Sequence, residues 1–125
     1  MCMACNKENT EKFLKKNKNK KLVKVYKVLD ISNKSPYMNK LYTVGENNAG
    51  KLERKQIPIN RNQDIAKGIH VHLTLTSARI METHYYYNRK TVEAWVRPSD
   101  LIGVSLDNNK AVFTKIYIDA KEIIK

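Results

Sequence analysis

One run in this chain admits a single kind of backbone. Between Ile69 and Leu75, apolar and polar residues alternate without a break: Ile69, Val71, Leu73 and Leu75 on one side, His70, His72 and Thr74 on the other. A period of two is the signature of a half-buried strand, and no helix reproduces it. Gly68 punctuates its start. A chain of 125 residues has room for one domain, so the partners of this strand must come from the same short sequence.

They are visible. Residues 22–31 are rich in β-branched side chains and read as a first strand, broken by the segment ending at Pro36. Residues 37–44 read as a second extended segment, residues 46–50 as a loop, and residues 51–62 as mostly irregular because Pro58 interrupts a polar stretch. After the alternating strand, Thr76 or Ser77 can cap a helix over roughly 77–87, with Ala78, Met81 and Tyr85 at helical spacing. Residues 91–97 form another strand, with Val92, Ala94 and Val96 inward and Glu93, Trp95 and Arg97 opposite. Residues 102–106 and 111–118 flank Asp107, Asn108 and Asn109, a hairpin connection whose residues tolerate positive φ. Residues 8–19 carry only Phe13 and Leu14 as apolar anchors for a short helix. The expectation is one α+β domain over residues 1–125: a small, mostly antiparallel β-sheet with one or two packed helices, residues 1–20 a basic N-terminal arm or short helix, residues 21–125 the core.

Composition narrows the function classes. No apolar run approaches the ~18 residues of a membrane helix, and the start of the chain lacks the apolar region of a secretory signal, so a cytoplasmic protein without membrane contact is expected. Charge is the dominant feature. The chain carries a net +12, and residues 1–27 hold nine lysines against Glu8 and Glu11. Such a block is either a solvated face or a footprint for a polyanion. Only five arginines exist to read base edges, so the charge speaks for anion attraction rather than sequence-specific DNA recognition.

Specific chemistry is sparse. Cys2 and Cys5 form a CxxC without the second ligand pair that zinc requires and without the preceding strand of a redox motif, and read as inert thiols. The stretch from Gly45 to Leu52 matches a phosphate-binding loop until its last position, where Leu52 replaces the Mg²⁺-binding hydroxyl, and Pro58 arrives too soon for the helix that must follow. Lys51 and Arg54 beside that loop could still contact a phosphate. His70 and His72 share one strand face, where they could ligate a metal, donate to phosphate, or simply meet solvent. The lone Trp95 faces away from the apolar side of its strand, beside Arg97, and wants a covering helix, a subunit or a stacked base. No catalytic triad, acid pair or Cys/His constellation can be singled out, no cofactor or metal is expected, and an enzyme is not the expected class.

Four segments carry a family resemblance: Ser35-Pro36-Tyr37, residues 67–71, residues 94–101 and residues 111–118. In this order they resemble small proteins of phages and prophages of clostridia and their relatives, and over about residues 22–118 the chain is similar to the first-described anti-Thoeris sponge family. The resemblance implies a homo-oligomeric binding protein in the host cytoplasm that sequesters a cyclic ADP-ribose isomer or another cyclic nucleotide without cleaving it.

Residue chemistry suggests how such a dianion would be held. Tyr37 and Trp95 would stack on the base, Lys51, Arg54 and Arg97 would clamp phosphate, and His70 and His72 would donate to phosphate or ribose. Two other readings compete: a basic nucleic-acid-binding accessory protein acting through the N-terminal lysines, and a direct protein inhibitor of a host defence nuclease.

Overall fold

The computed structural model describes residues 3–35, 40–49, 58–65, 67–83 and 89–118. Its backbone is set by β2, Val23–Asp30, which pairs antiparallel with β6, Arg89–Val96, over its whole length, from Val23 opposite Val96 to Asp30 opposite Arg89. With a side-chain period of two, this register sends Val25, Leu29, Val92 and Ala94 to one face and Lys24, Tyr26, Glu93 and Trp95 to the other.

Seven further strands complete the sheet: β1 (Met3–Asn6), β3 (Gly45–Asn48), β4 (Gln63–Ile65), β5 (Ile69–His72), β7 (Leu101–Ser105), β8 (Lys110–Phe113) and β9 (Lys115–Ile118). Their order is β3-β9-β6-β2-β5-β8-β7-β1-β4, with every described pairing antiparallel. Two helices, α1 (Lys7–Asn17) and α2 (Leu75–Thr83), pack on it. The α+β expectation therefore holds. The main core gathers Val25, Leu29, Val71, Val92, Leu101 and Phe113 on one face, and a smaller cluster of Cys5, Ile59, Ile65, Ile102 and Val112 closes the other face near β1 and β4. Among the described residues, no helix is long and apolar enough to cross a membrane.

The N-terminal lysine block is built into this fold. Asn6 caps α1 through its side chain, which accepts from the Asn9 amide at 2.9 Å, and Lys15 and Lys16 sit in the last turn where the helix dipole favours cations. Phe13 meets Phe113 edge-on at 5.9 Å. With so few apolar anchors, α1 docks largely by polar contacts to β7. The fully buried Thr10 hydroxyl donates to the Asn6 carbonyl at 2.7 Å and accepts from the Val104 amide at 3.0 Å. The Asn9 amide group donates to the Ser105 and Leu106 carbonyls.

Several local expectations are corrected. The strand that begins after Gly68 stops at His72, and Leu75 opens α2 at 43% exposure instead of joining the core. The reason is Thr74, whose hydroxyl accepts from the Ser77 amide and turns the chain into the helix. The helix is described from Leu75 to Thr83, and the rest of the expected span, with Tyr85 to Tyr87, lies outside the described residues. Residues 46–48 of the expected loop belong instead to β3, because Asn47 turns inward and bonds Thr43 and Gly45 while β9 supplies the ladder. Residues 40–44 form no strand beyond one bridge between Lys34 and Leu41. The expected strand over residues 111–118 divides at Thr114, so that β8 serves β5 and β7 while β9 serves β6 and β3. β1 and β4 were not expected. The hairpin turn matches its residues, with Asn108 at φ 61°. Gly68 is required at φ +131°, where a Cβ would come within 2.3 Å of Val112 Cγ1.

The docking of α1 makes a direct prediction. Thr10→Val keeps the shape but strands the Val104 amide, and should lower stability by about 1–3 kcal/mol in urea denaturation at unchanged slope. A loss below about 0.5 kcal/mol would show that the helix is held by something other than this hydroxyl.

Candidate anion-binding cleft

The last turn of α1 runs into an exposed lysine-rich segment that returns to β2. Lys20 bonds back to the Asn17 carbonyl at 3.0 Å, which places Lys18, Lys20 and Lys21 on one side of a cleft. The other side is the exit from β6: Arg97, then a single 3₁₀ turn over Pro98–Asp100 that begins with the fixed φ of proline. The cleft is open, about 560 Å³ in volume, and lined by these three lysines, Leu22, Arg97, Pro98 and Ser99. Among the described residues, four of the seven that line it are cations and none is acidic. Clefts lined by one sign of charge focus the field and concentrate counter-ions, and this volume falls in the range that holds small ligands.

Arg97 also reaches a second feature. On the face of the sheet away from the main core, Trp95 stands opposite Lys24 of β2 and Tyr117 of β9. The Arg97 guanidinium lies 5.3 Å from the Tyr117 ring centre, and the Lys24 ammonium lies 5.3 Å from that of Trp95. Both rings are half-buried. Glu93 pairs with Lys24 at 3.5 Å. The Tyr117 hydroxyl donates to Glu46 at 3.3 Å, and Asn48, Lys115 and this hydroxyl together hold the Glu46 carboxyl below its ordinary range. Arg97 thus lines the cleft and stands over the Tyr117 ring, whose cross-strand neighbour is Trp95. The arrangement can bind charge and offer a π-face.

The candidate residues divide into three groups. Trp95 and Arg97 come together here. Tyr37, Lys51 and Arg54 lie outside the described residues. His70 and His72 line no part of the cleft. They stand on β5, where His72 is 8% exposed with its Nδ1 2.7 Å from the Ser77 hydroxyl of α2, and the His70 Nε2 is buried with no partner among the described residues. Desolvation, reinforced by Lys27 for His70 and by Lys110 and Lys27 for His72, lowers each imidazole to about 4. Both rings are neutral at physiological pH. Lys18, Lys20, Lys21, Ser99 and Tyr117 were not singled out from the sequence. The lysines were legible as charge, but nothing in the sequence says that the turn after α1 meets the turn after β6. Among the described residues, no three His, Cys, Asp or Glu side chains cluster to hold a metal ion.

The chain matches no family model, no curated protein and no solved structure.

The buried imidazoles predict an acid-side loss of stability. In the unfolded chain they bind protons at their ordinary 6.5, and in the folded chain only near 4, so the unfolded state holds more protons between these values. Stability should fall as pH drops from about 6.5 to about 4, read as a falling urea midpoint. His72→Gln should flatten the fall, and an unchanged profile would contradict neutral burial of this ring.

Proposed function

We propose that this chain is a non-catalytic binding protein that captures a phosphate-bearing nucleotide at the Arg97 cleft. The observation that carries the reading is the convergence of four cations, with no acidic neighbour in the lining, beside the Trp95 and Tyr117 rings. Phosphates would meet Lys18, Lys20, Lys21 and the planar fork of Arg97, which suits bidentate oxyanion contacts. A base would stack on Trp95 in the place the Lys24 ammonium now holds, releasing that cation toward the phosphates. The family resemblance specifies this reading further: a phage-encoded anti-defence sponge that works as a homo-oligomer in the host cytoplasm and withholds a cyclic ADP-ribose isomer from its receptor.

A second reading has its own observation. Lys12, Lys15 and Lys16 of α1 are exposed and precede the cleft lysines along the chain, so an extended nucleic acid could follow the same surface. Salt separates the two. Polyanion binding through several phosphates weakens steeply between ~50 and 200 mM salt, whereas a cleft-held ligand with two phosphates weakens far less.

Calorimetric titration with cyclic ADP-ribose isomers, cyclic di- and trinucleotides, ADP-ribose and short DNA tests the proposal. One cyclic nucleotide should bind at ~150 mM salt and be recovered unaltered by chromatography after heat denaturation. Arg97→Ala should weaken it about tenfold or more, and Trp95→Ala by about fivefold or more. His70→Gln should leave affinity unchanged. Altered product, or equal affinity in the Arg97 variant, would overturn the assignment.

A further inference from the structure

The sheet has a seam. Whereas β2 pairs with β6 along its full length, it pairs with β5 at one position only, Tyr26 opposite His72. Immediately beyond that position comes Lys27, on the core-facing side of β2 with Val25 and Leu29. It is 7% exposed. Its ammonium reaches across the seam and donates to the His70 carbonyl at 2.7 Å, where a ladder hydrogen bond would otherwise run. The same ammonium lies 5.3 Å from the ring centre of Tyr42, itself buried, and the Lys40 ammonium lies 5.5 Å from that ring. Lys40 also donates to the Asn48 carbonyl.

This arrangement is incompletely matched. An ammonium has three donors, and Lys27 uses one of them on an oxygen acceptor. No carboxylate pairs with Lys27 or Lys40 among the described residues. Burying a cation costs several kcal/mol unless opposite charge and hydrogen bonds offset it, and here a second ammonium adds repulsion. Burial first, and then Lys40, lowers the Lys27 amine to about 8. A ring face offsets only part of this cost. An anion would supply both the missing acceptors and the missing charge.

We propose that Lys27 and Lys40, beside the Tyr42 ring at the β2–β5 seam, hold a single oxyanion group of sulfate, phosphate or carboxylate type, at a site separate from the Arg97 cleft. The site binds the anion with Lys27 protonated. Among the described residues, the titratable groups around it are Tyr42 and Lys40 on the same face, with His70 and His72 of β5 and Lys110 of β8 on the opposite face of the sheet. Both imidazoles lie near 4 and the Tyr42 phenol near 12, so none of these three titrates between pH 7 and 9. Deprotonation of Lys27 dominates that interval, and the downward shift of Lys40 acts in the same direction.

Sulfate is the probe, because its own charge is constant over this range. Melting of the full chain is followed against sodium sulfate, with sodium chloride at matched ionic strength as the reference, at pH 7 and pH 9. Sulfate should stabilise specifically, and its half-saturating concentration should rise about tenfold from pH 7 to pH 9, following the protonated fraction of an amine near 8. Lys27→Met, which removes a buried charge at similar volume, should abolish the sulfate-specific shift. Should that variant fail to melt cooperatively, Lys40→Ala at the partly exposed position should raise the half-saturating concentration about tenfold. Arg97→Ala should leave the effect intact, which separates this site from the cleft, and a phosphate monoester in place of sulfate tests whether an organic phosphate enters. No sulfate-specific shift, the same shift in Lys27→Met, or equal half-saturation at both pH values would each overturn the proposal.

Discussion

The ladder between β2 and β6 is the constraint on which the rest of the molecule depends. Eight consecutive pairs fix which side chains face the core and which do not, and a one-residue slip would invert them all. Because Ala94 must lie under Val25, Trp95 must lie over Lys24. Because β6 ends at Val96, Arg97 leaves the sheet where the 3₁₀ turn and the α1 exit meet. The cleft is therefore a consequence of register, with its guanidinium placed by the strand that also sets the core.

The same ladder explains the seam. A strand paired fully on one side and at a single position on the other leaves a gap that its next side chain fills, and in this chain that side chain is a lysine. Basic charge is thus disposed in two unlike environments. At the cleft the cations are solvated and gathered, so their mutual repulsion is modest and screened by salt. At the seam one cation is buried with a second amine nearby, and burial first, then that neighbour, lowers the Lys27 amine to about 8. Burial also lowers the His70 and His72 imidazoles, and His72 meets Ser77 of α2.

Much of the fold was legible in the sequence because alternation is a local signal. The strands around Val71 and Ala94 follow from period two, the strand around Val25 from its β-branched residues, and the Asp107-Asn108-Asn109 turn from residues that tolerate positive φ. What failed was decided by tertiary partners. Glu46 to Asn48 look like a loop and become part of a strand only because β9 offers an edge. Met3 to Asn6, read as part of a basic arm or short helix, become a strand between β4 and β7. Leu75 continues the alternation in sequence, yet the Thr74 cap claims it for a helix. The site shows the same division. Trp95 and Arg97 could be found from their place opposite an apolar strand face. The lysines after α1 could be counted but not located, and Lys27 reads as one more polar residue in an alternating strand until its burial is seen.

Trp95 is the chain's single tryptophan, which gives the Arg97 cleft its own spectroscopic reporter. The most direct measurement is its fluorescence during titration with cyclic ADP-ribose isomers, with ADP-ribose as the linear control, at ~150 mM salt. The account predicts a saturable change in Trp95 emission for a cyclic ligand that reverses when the ligand is removed. Emission that stays constant across the set, including any ligand that raises the melting temperature, would contradict it by placing the nucleotide away from this face.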